Sequence, residues 1–489
     1  MILTTRSCPV CFALILKTSV ALRAGTIDAS SVDDFKRAID GAKPGDHIVL
    51  ADGRYNVTDT ITIGKSGTAE QPIVIEPKSI GGAEITGDAG FRIEKPAAYV
   101  VVRGFVFTHK AGSMHVGAGV HHCRITRNVF ALKVEDRATY LSIAGDDNEI
   151  DHNTFRDKDT EGQMLIVDGP NGSTVAQRTW IHHNAFLDFK QTHKNNASGL
   201  HIGSSGRSMS SSFSVVEHNL FVRNVGENEG AICNKSSDNI YRFNTIIDST
   251  ELSLRHGHRC QVYGNFILNS QGLRFFANDH QIYSNYFSGN KPALAIGNGD
   301  ATIPPGALTS HQRPDRVQVV FNTFVNNTAN VQMGGRNNGL GANDLVFANN
   351  IIVGGNQAVS IKGPLGGNPK WEGNIVWNTE GGPGDIPASG LTSVDPKLAK
   401  DDAGIYRLSQ DSSAAGKNVG SYPFVTIDLS GRTRSGAPVV GAEEPSSTDA
   451  KPSLPLAVSD VGPGAPEEKD RPLISAPEHV RWIPHEPEK

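Results

Sequence analysis

An asparagine that follows a short alternating strand and precedes a large apolar residue recurs along this chain. The recurring positions are Asn128, Asn153, Asn184, Asn219, Asn244, Asn265, Asn285, Asn322, Asn349 and Asn374. Successive asparagines are never closer than the 20 residues between Asn265 and Asn285, and the longer intervals vary. A fixed minimum with a variable excess predicts an all-β fold, a right-handed parallel β-helix whose coils use about 20 residues each, with the excess in loops.

The asparagine itself suits this architecture. It favours tight turns, and its amide can hydrogen-bond the equivalent asparagine in a neighbouring coil. A leucine-rich horseshoe requires an LxxLxL pattern, which is missing, and a propeller requires about 40 residues per blade. Cys123 and Cys260 each lie five residues before a repeat asparagine, which places them in one inward register. We interpret these two cysteines and Cys233 as buried apolar residues, because three widely spaced thiols make no disulfide framework.

The repeat and its flanks predict one domain. We expect the β-helix to span residues 25–444, with a short helix at residues 31–40 that covers its first coil. Ser31 is the predicted N-cap of that helix, and Asp34 occupies the capping-box position. Residues 445–489 are rich in Pro, Ser and acidic residues without periodicity, so we expect a disordered tail.

Composition restricts the partners and the compartment. A net charge of −5 gives no support to nucleic-acid binding. Residues 1–24 combine an early arginine, an apolar run and small residues before Ala24, which indicates a signal peptide. No other apolar run approaches the ~20 residues of a membrane span. We therefore expect a secreted or periplasmic monomer without nucleic-acid or membrane partners.

The stretch from Glu227 to Gly257 carries the candidate chemistry. Residues two apart on a strand share a face, so Glu227 and Glu229 can converge on one cation or one substrate group. Lys235 and Arg255 are separated by 20 residues, the length of the shortest coil. We therefore predict that they stack on one face, about 4.8 Å apart.

The motifs NKSSDNIYRFNT and LSLRHG in this stretch resemble those of the polysaccharide lyase family of chondroitinase B and related alginate lyases. GLHIG at 199–203 is similar to a family strand, with His201 in place of the usual arginine. The resemblance covers the chain from about Thr26 to Glu444. It implies cleavage of uronate-containing polymers by β-elimination, with Lys235 as the base and Arg255 as the acid.

Elementary chemistry agrees with that reaction, because abstracting the C5 proton of a uronate requires the adjacent carboxylate charge to be offset. A guanidinium is a poor proton donor near neutrality, so Arg255 is either the acid or a stabiliser of the enolate or leaving oxygen. His256 is a second candidate donor or a structural histidine. We expect His256, His201, Arg223, Arg259 and Arg274 to bind substrate.

Family members that use Ca²⁺ bind it through two glutamates and an asparagine about one coil earlier. The matching positions are Glu227, Glu229 and Asn195, or its neighbour Asn196, and such oxygen ligands suit Ca²⁺. The spacing departs from the family pattern, because Glu229 lies six rather than five residues before Lys235 and Arg255 lies one residue closer to it. A bulge at Gly230 would absorb the shift; otherwise the glutamates are solvated or bind a basic loop.

The substrate and two rival functions stay open. Alginate is the first expected substrate and dermatan or chondroitin sulfate the second, because no feature of the sequence indicates a sulfate-binding site. A β-helical glycoside hydrolase would need paired acids. Asp146 and Asp147 are consecutive and would point in opposite directions on a strand. A non-catalytic protein that binds acidic polysaccharide is the other rival.

Overall fold

The computed structural model describes residues 25–110, 112–135, 137–190, 197–226, 230–302, 311–434, 439–445 and 451–466. The predicted signal peptide lies outside these ranges. None of the helices in them is both long enough and apolar enough to cross a bilayer.

Three long sheets run along the chain. Sheet A comprises Thr26–Ala29, His47–Leu50, Ile73–Pro77, Val100–Arg103, Arg124–Thr126, Glu149–Asp151, Trp180–His182, Val215–Glu217, Ile240–Arg242, Gln261–Tyr263, Gln281–Tyr283, Gln318–Val320, Val346–Ala348 and Lys370–Glu372. Sheet B comprises Gly53–Val57, Ala83–Gly87, Val106–Phe107, Val129–Phe130, Thr154–Lys158, Ala185–Lys190, Leu220–Val225, Thr245–Ile247, Phe266–Leu268, Tyr286–Ser288, Thr323–Val325, Ile351–Val353, Asn374–Trp377 and Leu391–Thr392. Sheet C comprises Ile61–Ile63, Phe91–Ile93, Met114–Val116, Leu141–Ile143, Leu165–Val167, Leu200–Gly203, Ile232–Lys235, Leu252–His256, Leu273–Phe275, Leu294–Ile296, Val331–Met333 and Val359–Ile361.

The strands form a parallel β-helix, as predicted. Each coil adds one strand to sheet A, then one to sheet B and one to sheet C, and neighbouring coils pair in parallel. Side chains alternate between the interior and the outer face. Phenylalanines from successive repeats stack inside at centroid distances of 4.5–5.0 Å, and the column is Phe107, Phe130, Phe155, Phe186 and Phe221.

The asparagine ladder is confirmed with one correction. Each side-chain oxygen accepts from the backbone N–H of the equivalent asparagine one coil earlier, as between Asn184 and Asn153 at 2.9 Å. Near the C-terminal end the ladder passes through Asn350 and not the predicted Asn349. The left-handed turn residue is the one before each ladder asparagine, so Asn349, with φ 54°, fills that role.

The predicted capping helix is present as Val32–Gly41. The Ser31 hydroxyl accepts a hydrogen bond from the backbone N–H of Asp34, as expected for an N-cap. Phe35 and Ile39 are buried, and the Phe35 ring lies 5.9 Å from that of Phe91. The helix thereby covers the open end of the core.

The C-terminal part departs from the prediction. Parallel pairing ends at Leu391–Thr392 rather than near residue 444. We name the described residues from 393 to 466 the C-terminal segment. It contains an antiparallel hairpin, Leu398–Lys400 with Tyr406–Leu408, and a 3₁₀ turn at Val458–Asp460. The remaining short elements are the 3₁₀ turns Ser205–Arg207 and Ala388–Gly390 and the parallel pair Ala342–Asn343 with Leu365–Gly366.

The C-terminal segment packs on the outer faces of sheets A and B. Val425 joins an apolar cluster with Tyr263 and Tyr283 of sheet A. Val461 joins Ala185 and Leu220 of sheet B. Residues 451–466 therefore pack on the β-helix, where the sequence predicted disorder, because the apolar outer side chains of these sheets provide a surface to bury. The rest of the predicted tail, residues 446–450 and 467–489, lies outside the described residues.

Candidate active site

Strand Ile232–Lys235 of sheet C lies between strands Leu200–Gly203 and Leu252–His256 of the neighbouring coils. Its first residue, Ile232, belongs to the hydrophobic core. Strand alternation therefore places Cys233 and Lys235 on the outer face of sheet C. Lys235 is only 6% exposed, so it is set into this face rather than projecting freely into solvent.

The prediction that all three cysteines are buried is confirmed, and Cys233 differs from the other two only in its place. The three cysteines are buried free thiols, and Cys123 and Cys260 belong to the core as expected. Cys233 is buried too, but it pairs with His201 and Ser253 in the outer row of sheet C. It therefore lies next to the candidate site.

A register shift changes the predicted pairing of Lys235. Asn234 pairs with Leu254, but Lys235 pairs with His256, so Arg255 is the extra residue of a bulge. The prediction that Arg255 stacks directly on Lys235 is therefore wrong, since His256 takes that position. Arg255 remains close, because its charge acts on both His256 and Glu251.

A buried polar network holds the turn beyond Lys235. The Asn234 amide donates to the carbonyl oxygens of Ser236 and His256, both at 2.8 Å. Its side-chain oxygen accepts from the Tyr241 hydroxyl at 2.7 Å and from Asn239 at 2.9 Å. Since buried hydrogen-bond networks fix geometry, Asn234 fixes the backbone at both Ser236 and His256.

Two glycines beside the candidate site allow neighbouring coils to approach closely. Gly203 and Gly257 have φ 82° and 90° and lie against the backbone of Lys235 and Ser236. A Cβ at Gly257 would lie 2.1 Å from the Ser236 carbonyl oxygen. The close stacking of the coils at this turn therefore requires glycine after His256.

The imidazole of His256 is neutral at neutral pH. Burial lowers the pKa of His256 to about 3, and the nearby charges of His311, Arg255, Lys235 and His201 act in the same direction. His201 is 4% exposed, and its Nδ1 lies 3.4 Å from the Ser198 hydroxyl. The structure thus brings the predicted residues Lys235, Arg255, His256 and His201 together.

Arg274 joins this group from the next coil. Arg274 pairs with Ser253 in the outer row of sheet C, and its guanidinium donates to the Ser253 hydroxyl at 3.3 Å. It also forms an ion pair with Glu251 at 2.5 Å. Burial raises the pKa of Glu251, whereas Arg274 and Arg255 lower it. Glu251 is therefore the local counter-charge of the two arginines, and no motif in the sequence marked it.

Arg223 and Arg259 do not lie on this face, which corrects their predicted role. Arg223 belongs to a strand of sheet B and forms an ion pair with Asp188 at 2.6 Å. Arg259 lies in the turn towards sheet A and forms an ion pair with Asp238 at 2.7 Å. Both guanidiniums cross-link neighbouring coils instead of facing the Lys235 row.

The predicted Ca²⁺ ligands Asn195, Glu227 and Glu229 lie outside the described residues, as does Asn196. Gly230, which follows them, has φ 81°. A register shift is present at Arg255, in the pairing of Ile232–Lys235 with Leu252–His256.

A second polar cluster lies on sheet A and is structural. Asp151, His152 and His182 bring potential metal-binding atoms within 4.8 Å of one another. However, Arg124 donates to both Asp151 carboxylate oxygens, at 2.7 and 2.6 Å. Burial would raise the pKa of Asp151, but Arg124 and His152 hold it well below its usual range. The guanidinium already occupies the place of a cation.

The acid pair considered for a hydrolase is also structural. Asp146 accepts from the backbone N–H of Gln177 at 2.8 Å, and Asp147 forms an ion pair with Arg178 at 2.5 Å. These contacts tie neighbouring coils together. They leave no acid pair of the kind that a glycosidase uses at this position.

Comparison with known proteins decides the family. A sequence profile described as Chondroitinase B matches residues 29–365. The chain belongs to the chondroitinase B family. This confirms the resemblance found in the sequence, to a family of polysaccharide lyases. No curated protein matches the chain significantly in sequence.

Solved structures of family 6 polysaccharide lyases share the fold. The alginate lyase AlyGC is 22% identical with a TM-score of 0.70, and the match covers 88% of this chain but only 60% of AlyGC. A mannuronic acid specific lyase from human gut microbiota is 23% identical with a TM-score of 0.62, covering 72% and 86%. A family 6 alginate lyase in complex with a trisaccharide is 19% identical with a TM-score of 0.61, covering 81% and 93%.

This chondroitinase B family member also places residues near the site that no motif marked. His311 reaches His256 from the loop between the sheet C strand Leu294–Ile296 and the next sheet A strand. Arg336 forms an ion pair with Asp300 in the same region. No local pattern signals these residues, because they come from loops whose course depends on the whole fold.

Proposed function

We propose that this protein is a polysaccharide lyase that cleaves a uronate-containing polymer by β-elimination, with alginate as the first candidate substrate. One observation carries the proposal. Lys235, Arg255, His256 and Arg274 converge on the outer face of sheet C. That concentration of cationic and imidazole groups suits a polyanionic sugar chain.

Lys235 is the proposed base. Its amine, in the neutral form, accepts the C5 proton of the uronate. The bond between C4 and the glycosidic oxygen then breaks as the C4–C5 double bond forms, and water supplies the proton to the leaving oxygen. Arg255 stabilises the enolate or that leaving oxygen, because a guanidinium donates hydrogen bonds without losing its proton. Arg274 binds a sugar carboxylate in competition with Glu251.

We also propose that Asn195, Glu227 and Glu229 hold Ca²⁺, which when bound would offset the uronate carboxylate charge. The support is the family motif that these residues match. Calorimetric titration of the apoprotein with CaCl₂ tests this directly, with Glu227→Gln/Glu229→Gln as the control. If both proteins give the same heat, the assignment fails.

A substrate panel tests the reaction. Mannuronate-rich and guluronate-rich alginate, dermatan sulfate and chondroitin sulfate are incubated with the protein, and both ultraviolet absorbance and reducing ends are followed. We expect unsaturated, absorbing ends on alginate, with Lys235→Met as the inactive control. New reducing ends without absorbance would identify a hydrolase, and binding without cleavage would identify a carbohydrate-binding protein. Cleavage of the sulfated polymers alone would favour the second candidate substrate.

Export is the proposed route to this substrate. Residues 1–24 have the pattern of a cleavable signal peptide, and acidic polysaccharides of this kind lie outside the cytoplasm. N-terminal sequencing of the native protein from the periplasm or medium should start near residue 25. Recovery of the intact leader from the cytosol would contradict export.

A further inference from the structure

The loop after strand Leu294–Ile296 brings a second imidazole against His256. The rings of His311 and His256 are stacked with centroids 5.6 Å apart. The His311 ring also lies 4.5 Å from the Phe276 ring, centroid to centroid. His256 is thereby enclosed, with only 3% of its surface exposed.

Several bonds fix His311 in this place. Its backbone N–H donates to the Asp300 carboxylate at 2.8 Å. The next residue, Gln312, bonds to Nε2 of His258 at 2.9 Å and donates to Asn278 at 3.2 Å. The loop that carries His311 is thus attached to His258, which lies two residues after His256 in the chain. A displacement of His311 would therefore move the His256 ring, which lies beside Lys235.

Burial, together with the surrounding charges, lowers the pKa of both rings and keeps both neutral at neutral pH. Burial lowers the pKa of His311 to about 4, and Arg255, Arg274 and Arg336 act in the same direction while Asp300 opposes them. The groups that act on His256 are His311, Arg255, Lys235 and His201. Neutral rings can stack without charge repulsion, whereas protonation of either ring would place a new cation among the arginines.

We propose that His311 is a positioning residue of the lyase site: its ring encloses His256, fixes the orientation of that imidazole beside Lys235 and keeps it out of water. The assignment to catalysis rests on the proposed function, but the enclosure of His256 does not. His311 acts through His256 and needs no contact with the sugar.

Two substitutions distinguish the contribution of the His311 aromatic ring from that of its nitrogen atoms. His311→Phe keeps an aromatic ring against His256 and Phe276, so kcat should stay within about twofold of wild type. His311→Ala removes the ring, so kcat should fall about 10- to 100-fold, as expected when a reacting geometry is loosened. Melting temperatures of both variants establish that they are folded.

The matched control is His122, which is half-buried at a turn before sheet A and stacks on Tyr99 at 4.9 Å. Burial lowers the pKa of His122 as well. His122→Ala should therefore change neither kcat nor the titration of His256.

A readout independent of activity completes the test. The ¹³C-labelled imidazole of His256, assigned with His256→Gln, is titrated by NMR in wild type, His311→Phe and His311→Ala. We expect its midpoint to move towards the ordinary value of 6.5 only in His311→Ala. An unchanged midpoint together with unchanged kcat in His311→Ala would reject the positioning role. The expected shift in a protein that cleaves none of the polymers would reject the lyase function and retain the enclosure.

Discussion

Replacing Lys235 is the sharpest test of the proposed reaction. The side chain is 6% exposed and ends a strand held on both sides, so methionine can fill nearly the same space. Loss of one acid–base group costs about 10²- to 10⁴-fold in rate. At 1.36 kcal/mol for each factor of ten, the barrier of Lys235→Met should rise by about 2.7–5.4 kcal/mol.

Lys235→Arg distinguishes a base from a simple cation. Arginine keeps the positive charge but cannot release its proton near neutral pH. We therefore expect kcat to fall almost as far as in Lys235→Met, while oligouronate affinity changes only modestly. Initial rates of ultraviolet absorbance measure kcat, and calorimetry measures affinity. A folded Lys235→Arg protein that keeps more than about a tenth of wild-type kcat would refute the mechanism.

Lys158 supplies the matched control. It is 1% exposed in a strand of sheet B and donates to the Thr160 hydroxyl and the Glu161 carbonyl, at 2.8 and 3.0 Å. Burial lowers the pKa of Lys158 to about 8. Lys158→Met should lower stability by about 1–3 kcal/mol, the cost of buried acceptors that lose their donor, with kcat unchanged. Equal losses of activity in Lys158→Met and Lys235→Met would show that any buried-lysine change disables the protein.

Three further predictions concern stability and positioning. Tyr241→Phe removes a hydrogen bond to Asn234, so the free energy of unfolding measured in urea should fall by about 1 kcal/mol. Because Asn234 donates to the His256 carbonyl oxygen, kcat should also fall by a larger factor than KM changes. The lowered pKa values of His256 and His311 mean that the unfolded chain binds more protons below about pH 6.5. The stability they contribute is complete above that pH and should decline towards pH 4, and unfolding free energies that stay constant from pH 7 to 5 would contradict this. Val461→Asp buries a charge against sheet B, so it should cost about 2 kcal/mol or more without changing kcat, and an unaltered melting curve would disprove the docking of this segment.

The sequence was sufficient for the fold because the coil repeat is local. Each ladder asparagine bonds to the equivalent position one coil away, so the spacing along the sequence predicts the ladder. The error at Asn349 arose where two asparagines are adjacent and spacing cannot choose between them. The second one, Asn350, points inward, and the first forms the turn.

The C-terminal segment could not be predicted in this way. Its composition suggests disorder, yet Arg127 donates to the carbonyl oxygens of Pro463 and Ala465, both at 2.8 Å. Those contacts join residues more than 300 positions apart in the chain, and no local pattern reports them. The same limit applies to His311, whose place depends on how its loop returns to sheet A.

The bulge at Arg255 explains how one coil supplies two groups to the site. In a regular parallel ladder each neighbouring coil offers a single residue beside Lys235, and on one side that residue is Gly203. The register shift lets the other coil place His256 in the ladder position and insert Arg255 next to it. Asn234 stabilises this irregular backbone by donating to the His256 carbonyl oxygen. The bulge thereby places an imidazole directly beside the proposed base.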